Sequence, residues 1–186
     1  MTRETFDRKL AVRAERLAAG DVEAWATVNG FARYEVSAWG FIRNRSTGRF
    51  LKPFVHCAPD PYLRVSLYKA AGPNVGRAFH RFAHRLVALY HTPGRSRHRC
   101  EVHHVLDPVT LRPDLEDLAA DSLAWVTPEE NRRCRGAALP DGTTGPGRLL
   151  AEVRAEVAAE DAAWRRSILD DPAWSPAIPY AETAPF

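Results

Sequence analysis

The chain has 186 residues, of which 45% are hydrophobic and 26% are charged, and its formal net charge is +3. This length and composition indicate a soluble globular protein with one domain, or a core domain with appendages. No apolar run approaches the roughly 20 residues that span a bilayer, and the N-terminus lacks the apolar segment of a secretory signal, so we expect a cytoplasmic protein without a membrane partner.

Charge is distributed unevenly along the chain. Residues 151–186 contain seven acidic residues and three arginines, which leaves residues 1–150 with a net charge of +7. The stretch Arg77–Arg99 has six arginines, four histidines and no acidic residue. A block of one sign favours a polyanionic partner, whereas a solvated arginine-rich face explains the same charge equally well.

The three cysteines do not predict a disulfide framework, because their number is odd and no Cys-x2-Cys spacing occurs. Cys100, His103 and Cys134 could form part of a zinc site, but structural zinc usually needs four protein ligands. We favour buried or unreactive thiols, including Cys57, and keep a zinc-stabilised interaction protein as an alternative.

The N-terminal half predicts a helix followed by short strands. Apolar residues at near-helical spacing predict a helix over residues 4–19, which Gly20 ends. From Trp25 to Leu67, short alternating segments separated by turn signals predict a small antiparallel sheet. A second helix is predicted within residues 78–94, where Pro93-Gly94 ends it.

The next part of the chain predicts two strands and a helix. The strands are expected over Glu101–Val105 and Ser122–Val126. Thr127, Pro128 and Glu130 form an N-terminal helix signature, with a cap, a proline at the first helical position and a capping box. Asn131 therefore lies about one turn inside this helix.

The C-terminal part predicts a linker, a helix and a tail. Residues 137–147 have a linker composition, and residues 148–169 predict an amphipathic helix with one apolar side formed by Leu150, Val153, Val157, Trp164 and Ile168. The tail that follows is rich in proline and acidic residues, and we expect it to be extended or docked on the surface.

His103 and His104 stand side by side on the first of these strands, although a strand normally directs adjacent side chains to opposite faces. Both can act at one site if the strand ends between them. One imidazole can then bind a divalent cation at a phosphodiester, and the other can take a proton from water. Alternatively, adjacent histidines are surface or partly satisfied polar residues.

Two stretches of the sequence resemble the HNH nuclease family. EVHHVLDP followed by SLAWVTPEENRRC is similar to the family's ββα-metal motif, which commonly reads His-His or Asp-His, then Asn-Leu, then Glu-Asn. YEVSAWG and HRLVA resemble the modular segment that precedes the motif in phage and intron-encoded homing endonucleases. The resemblance implies an α+β fold: a small antiparallel sheet followed by a ββα-metal unit, with flanking N- and C-terminal helices.

Carried over residue by residue, the resemblance implies a catalytic site with one divalent metal ion, Mg²⁺ or Mn²⁺. His103 and Asn131 would be metal ligands, and His104 would be the general base. Ser122 occupies the position of a family asparagine that ties down the loop after the first strand and helps to orient the base. Asp114 or Asp117 in this loop could replace the missing contact, or the acidic loop could simply be solvated.

The resemblance also implies an order of units along the chain. They are an N-terminal helix (1–20), a small β-sheet that contacts DNA (21–75), the HNH unit (76–136), a linker (137–147), and a C-terminal helix with its Pro/acidic tail (148–186). No helix-turn-helix is recognisable after the HNH unit, which predicts low sequence specificity or a tail that docks on the basic surface or on a partner.

Double-stranded DNA is the partner that the resemblance implies, and the oligomeric state is left open. Arginines of the HNH unit would contact phosphates; the candidates are Arg81, Arg85, Arg95, Arg97, Arg99, Arg132, Arg133 and Arg135. A second set could instead read bases from the upstream sheet or form a solvated strand face: Arg33, Arg43, Arg45, Arg49, Lys52 and Arg64. We read His84 as a packing residue or a phosphate contact.

The sequence therefore predicts a metal-dependent DNA endonuclease of phage or homing-endonuclease type, working alone or beside a phage or mobile-element protein. The alternative is a DNA-binding module that keeps the HNH fold but has weak or lost catalysis, which Ser122 motivates.

Overall fold

A computed structural model describes residues 1–55, 62–135 and 147–169. This part of the chain has an α+β fold. Its helices are α1 (Arg3–Ala18), α2 (Ala83–His91), α3 (Pro128–Cys134) and α4 (Leu150–Leu169). Its strands are β1 (Trp25–Thr27), β2 (Tyr34–Ser37), β3 (Ile42–Asn44), β4 (Phe54–Val55), β5 (Leu63–Tyr68), β6 (Ala78–Phe82), β7 (Glu101–His104) and β8 (Leu123–Val126).

The predicted small antiparallel sheet is divided into two sheets of three strands. One has the order β1-β2-β3 and the other has the order β4-β5-β6, and all their pairings are antiparallel. In β5, alternate residues are buried, because period-two side chains place Leu63, Val65 and Leu67 on the core face.

The prediction that the second helix includes residues 78–82 is wrong. These residues form β6, which pairs with β5 from Arg64↔Phe82 to Tyr68↔Ala78, and α2 begins only at Ala83. The apolar spacing of Phe79 and Phe82 suits a helix as well as a strand, and pairing with β5 decides between the two. The predicted boundary at 75/76 therefore falls between two paired strands.

The core lies between the two sheets, α2 and the β7–β8 hairpin. Its buried residues include Val36, Leu67, Val87 and Trp125. Trp125 Nε1 donates to the Ala88 carbonyl at 3.2 Å and to the Thr92 carbonyl at 3.1 Å, so the hairpin is fixed to the end of α2.

Helix α1, predicted over residues 4–19, runs from Arg3 to Ala18 and has no buried residue. Two of its arginines make contacts outside the helix: the Arg16 guanidinium lies 4.0 Å from the Trp39 ring centroid, and Arg13 pairs with Glu23 at 2.6 Å. The apolar spacing in α1 therefore reflects helix formation more than burial in the core.

The β7–β8 hairpin and α3 form a ββα unit. A single 3-10 turn (Ala120–Ser122) precedes β8. The strand therefore begins at Leu123, one residue later than the predicted start at Ser122. The predicted helix start is confirmed: the Thr127 side chain accepts from Glu130 N, Glu130 Oε2 accepts from Thr127 N, and Pro128 is the first helical residue.

Replacing Thr127 with alanine is expected to lower the free energy of unfolding by about 1–2 kcal/mol, because one half of the capping box is lost. Urea unfolding measures this change. Thr27→Ala is the matched control, since Thr27 is exposed on strand β1. Equal effects of the two substitutions would contradict the capping role.

Helix α4 packs against α3 and the hairpin. Val153 is fully buried, and Arg154 donates to the Trp125 carbonyl at 2.9 Å and to Glu130 Oε1 at 3.3 Å. Trp164, which was predicted on the apolar side, is 63% exposed. Residues 137–146 of the predicted linker, the tail from residue 170 and Cys57 lie outside the described residues.

Among the described residues, none of the helices combines the length and the apolar character that crossing a membrane requires.

Candidate metal and nuclease site

His103 lies between β7 and α3, in contact with Asn131. The Asn131 side-chain amide Nδ2 donates to Glu101 Oε2 at 2.5 Å, which leaves Asn131 Oδ1 as the acceptor toward the imidazole. His103 Nδ1 donates to that oxygen at 3.1 Å. The ring and the carboxamide are buried, with 8% exposure each. The ββα unit therefore brings together the two residues predicted as metal ligands.

His104 is buried on the other side of the hairpin. Its ring centroid lies 5.1 Å from that of His84 and 6.1 Å from that of Tyr62, with which it is stacked. His84, on α2, is therefore a packing neighbour of the predicted general base. Its own ring is in turn 5.6 Å from Phe82.

The strand does not end between the two histidines, which was the condition for both of them to act at one site; as predicted, it includes His104. Strand β7 continues through His104, with His103 paired to Ala124 and His104 to Leu123. The next amide, Val105 N, still donates to the Ser122 carbonyl at 2.9 Å. Since the strand is regular here, the two rings diverge, His103 toward α3 and His104 toward α2.

Burial lowers the pKa of both imidazoles below the ordinary value. For His103 desolvation is the main cause, the hydrogen bond with Asn131 opposes it, and the charge of Arg135 adds to it. For His104 desolvation and the neighbouring His103 lower the pKa, while the charge of Asp117 raises it. Both rings are therefore neutral near pH 7, the state that a metal ligand and a general base require.

Three buried imidazole nitrogens at this site have no hydrogen-bond partner among the described residues: His103 Nε2 and both nitrogens of His104. Buried polar atoms are nearly always paired, so such a concentration points to a missing ligand, ion or water. An imidazole nitrogen and a carboxamide oxygen are suitable donors for a divalent cation. The donor types at His103 and Asn131 therefore suit the metal that the sequence motif implies, and in this structure Asn131 Oδ1 accepts the hydrogen bond from His103 Nδ1.

The alternative zinc site of Cys100, His103 and Cys134 is wrong. In the described ranges, no three or more His, Cys, Asp or Glu side chains form a group that could hold a metal ion. Cys100 is exposed whereas Cys134 is buried, and neither is in a disulfide.

Ser122 contacts the loop that precedes it. Its Oγ donates to Asp117 Oδ2 at 2.6 Å, and Asp117 Oδ1 accepts from Ala119 N at 3.1 Å. Asp114, the other residue considered as a replacement contact, accepts from the backbone amides of Glu116 and Asp117.

The arginines predicted to contact DNA fall into two groups. In the first group, carboxylates within the chain pair with the guanidinium. Arg132 pairs with Glu129 at 2.7 Å, and Arg99 approaches Glu130 at 3.7 Å. Arg133 pairs with Glu129 and with two α4 residues, Glu156 and Glu160.

The second group consists of exposed arginines that pair with no carboxylate among the residues the structure describes: Arg81, Arg85, Arg95, Arg97 and Arg135. Several of their guanidinium groups lie close to aromatic rings. The Arg85 guanidinium is 5.4 Å from the Phe82 centroid, and that of Arg95 is 5.5 Å from Trp125. Arg135 is close enough to influence the pKa of His103. These five cations remain available for an external anion.

The sequence interpretation missed Glu101, which holds the Asn131 amide and so fixes the direction of its carbonyl oxygen. The signal was present, because a residue two positions before His103 on a strand shares its face. The approach of Tyr62 to His104 had no comparable local signal, since it depends on the packing of β5 and α2 against the hairpin.

No protein-family model matches the chain, and no curated protein matches it. A solved structure described as DNA binding and cleavage by the HNH homing endonuclease I-HmuI is similar, with 21% identity and a TM-score of 0.45. The similarity covers 77% of this chain and 60% of that chain, so this chain spans less than two thirds of that protein. At this identity and TM-score, the similarity establishes neither a family nor an activity.

Proposed function

We propose that the protein is a metal-dependent DNA endonuclease of HNH type, which hydrolyses phosphodiester bonds of duplex DNA by nicking or by cutting both strands. The observation that carries the proposal is the contact of His103 with Asn131 at the junction of β7 and α3, together with the unpartnered nitrogens of His104 on the other side of the hairpin. A purely structural histidine pair would be expected to have its buried nitrogens satisfied.

In this proposal each residue has a separate task. His103 and Asn131 would hold one Mg²⁺ or Mn²⁺, which supplies positive charge toward the phosphate. Glu101 orients the Asn131 carboxamide, and Arg135 adds a cation beside His103. His104, neutral at pH 7, accepts a proton from the attacking water.

The divergence of the two rings is compatible with this chemistry. In an in-line displacement at phosphorus, the attacking and leaving oxygens are on opposite sides. A base and a metal ligand that leave one strand in opposite directions can therefore serve opposite sides of one phosphate.

The exposed arginines without carboxylate partners are proposed to contact DNA phosphates. Arg85→Gln is expected to weaken duplex binding and to reduce the salt slope of log K by about 0.9, the value for one phosphate contact. Fluorescence anisotropy at several salt concentrations measures the slope. Arg132→Gln is the matched control on a helix surface, because Glu129 already pairs with Arg132. If only the Arg132 variant altered the slope, the assignment of the two groups would be reversed.

Incubation of supercoiled plasmid with the protein tests the activity. We expect nicked or linear DNA with Mg²⁺ or Mn²⁺, no product with EDTA, and a loss of product for Asn131→Ala. Product formation that is independent of added metal and of Asn131 would overturn the proposal.

A second candidate function is a DNA-binding module without efficient cleavage. The 4% exposure of His104, which is packed against Tyr62 and His84, favours this candidate, because a general base must reach a water at the phosphate. If the protein binds duplex DNA without added metal and does not nick plasmid under any of the above conditions, the result would support this second function over the first.

A further inference from the structure

The sheet β4-β5-β6 has one face toward the core and one face away from it. In β5 the residues alternate between these faces, and Leu63, Val65 and Leu67 are the buried ones. Residues that are paired across neighbouring strands lie on the same face of a sheet. The side that faces away from the core, which we call the outer face, therefore consists of Phe54, Arg64, Ser66, Tyr68, Ala78, His80 and Phe82.

Four of these seven side chains carry aromatic or imidazole rings. Tyr68 is 41% exposed, and His80 is exposed as well. Phe54 and Phe82 are half-buried. The His80 and Phe54 rings form a T-shaped pair with centroids 5.7 Å apart, and His80 Nδ1 is hydrogen-bonded to Ser66 Oγ at 3.1 Å. None of the four rings belongs to the core, so packing of the core does not account for rings on this side of the sheet.

The outer face lies in a part of the chain that carries positive charge alone. Residues 61–100 contain seven arginines, one lysine and no acidic residue. Two of the arginines lie over the Phe82 ring: the Arg64 guanidinium is 4.2 Å from the ring centroid, and that of Arg85, on α2, is 5.4 Å from it. Rings and cations are therefore combined on one surface, which is complementary to a partner with both planar π systems and negative charge.

A series of ring contacts leads from the outer face to His104. Tyr62, directly before β5, has its ring centroid 6.3 Å from that of Phe82. The same Tyr62 ring is stacked on His104, with centroids 6.1 Å apart and an angle of 22° between the ring planes. A strand bound along these rings would therefore end beside the residue proposed as the general base.

Single-stranded DNA offers the chemistry that this surface fits. In a duplex the bases are stacked on each other, so a protein meets only their edges and the phosphates. In an unpaired strand the faces of the bases are exposed, and proteins bind such strands by stacking the bases on aromatic side chains beside a positively charged groove. An exposed sheet face with rings and arginines therefore favours an unpaired strand over a duplex.

We propose that the outer face binds an unpaired DNA strand, with its bases stacked on Tyr68, His80 and Phe82 and its phosphates paired with arginines of residues 61–100. For the proposed nuclease, this names the substrate class: duplex DNA with an adjoining single-stranded segment, as in a fork or a gap. Only this substrate class rests on the proposed function, because binding of the unpaired strand needs neither the metal nor His104.

Fluorescence anisotropy in the presence of EDTA measures this binding without cleavage. The probes are a labelled oligothymidylate of about 12 nucleotides, an abasic strand with the same number of phosphates, and a duplex of the same length. The variants are Tyr68→Ala, Tyr68→Phe and His80→Ala. Trp164→Ala is the matched control, because Trp164 is an exposed aromatic residue outside the outer face.

We expect the wild-type protein to bind the oligothymidylate about 5–100-fold more tightly than the abasic strand, the range that corresponds to stacking of one base. Tyr68→Ala and His80→Ala should each reduce this ratio about fivefold or more, with duplex affinity within about twofold of the wild-type value. Tyr68→Phe should keep the wild-type ratio because it keeps the ring, and Trp164→Ala should leave the ratio unchanged.

Equal affinity of the wild-type protein for the oligothymidylate and the abasic strand would overturn the proposal, because phosphates alone would then account for the binding. An unchanged ratio in both alanine variants, verified as folded by thermal unfolding, would overturn it as well. Since the first comparison uses the wild-type protein, it is decisive even if a variant is less stable.

Nicking rates with Mg²⁺ or Mn²⁺ on a forked duplex and on a fully paired duplex test the substrate class. We expect nicking of the fork to be faster by about fivefold or more, and Tyr68→Ala should remove this preference while it keeps the rate on the paired duplex. Equal rates on the two substrates would overturn the substrate class. Binding that depends on stacking, in a protein that nicks neither substrate, would sustain the outer face as a binding site and reject the proposed nuclease function.

Discussion

Replacing His104 with alanine is expected to reduce the nicking rate about 10²–10⁴-fold, the usual contribution of a general base. The reason is that His104 is a neutral imidazole next to His103 in the chain, with both nitrogens free of hydrogen-bond partners in the described part of the chain. Duplex affinity should stay within about twofold, since phosphate contacts and not His104 supply most of the binding.

Two controls separate chemistry from folding. His98→Ala removes an exposed histidine whose Nε2 accepts a hydrogen bond from Arg97. This variant should keep nearly full activity. Circular dichroism and thermal unfolding verify that the His104 variant is folded. Nicking at the wild-type rate by a folded His104→Ala protein would refute His104 as the base.

Replacing Gly40 with alanine is expected to cause a large loss of stability. Gly40 has φ +87, and a Cβ there would lie 2.7 Å from the Leu118 carbonyl carbon and 2.9 Å from its oxygen. An alanine at this position would be strained in the left-handed backbone conformation, and its Cβ would clash with the backbone of Leu118. Together these two effects predict a loss of roughly 2–5 kcal/mol in the free energy of unfolding. Urea unfolding measures it.

Gly48→Ala provides the matched control. Gly48 also has a positive φ, +68, but a Cβ there would meet nothing within 4 Å. Only the backbone strain remains, so we expect about 1–2 kcal/mol. Equal losses at the two positions would mean that the contact of Gly40 with the loop before β8 adds nothing to stability.

The elements with local signals were predictable from the sequence. The capping box of Thr127 and Glu130 and the start of α3 depend on residues three positions apart, so they follow from sequence alone. A short apolar run predicted the first strand of the ββα unit, and strand β7 has the expected start at Glu101. The positions of His103 and Asn131 in adjacent elements were therefore foreseeable.

The features that depend on non-local pairing were not predictable. Residues 78–82 have an apolar spacing that also fits a helix, and only their pairing with β5 makes them a strand. The choice of Asp117 over Asp114 as the partner of Ser122 depends on how the loop folds, since both carboxylates precede Ser122 at short distances in the sequence. The surroundings of the His104 ring depend on the packing of Tyr62 and of α2 against the hairpin, which has no local signal in the sequence.

Binding of Mn²⁺ followed by NMR tests the proposed metal centre most directly, because a paramagnetic ion broadens the signals of its ligands even when it binds weakly. With His103 and Asn131 as ligands, low Mn²⁺ concentrations should broaden the His103 ring and Asn131 side-chain amide signals first, and Asn131→Ala should abolish this broadening at His103. Preferential broadening of the acidic loop around Asp114 and Asp121, with His103 and Asn131 unaffected, would contradict the assignment.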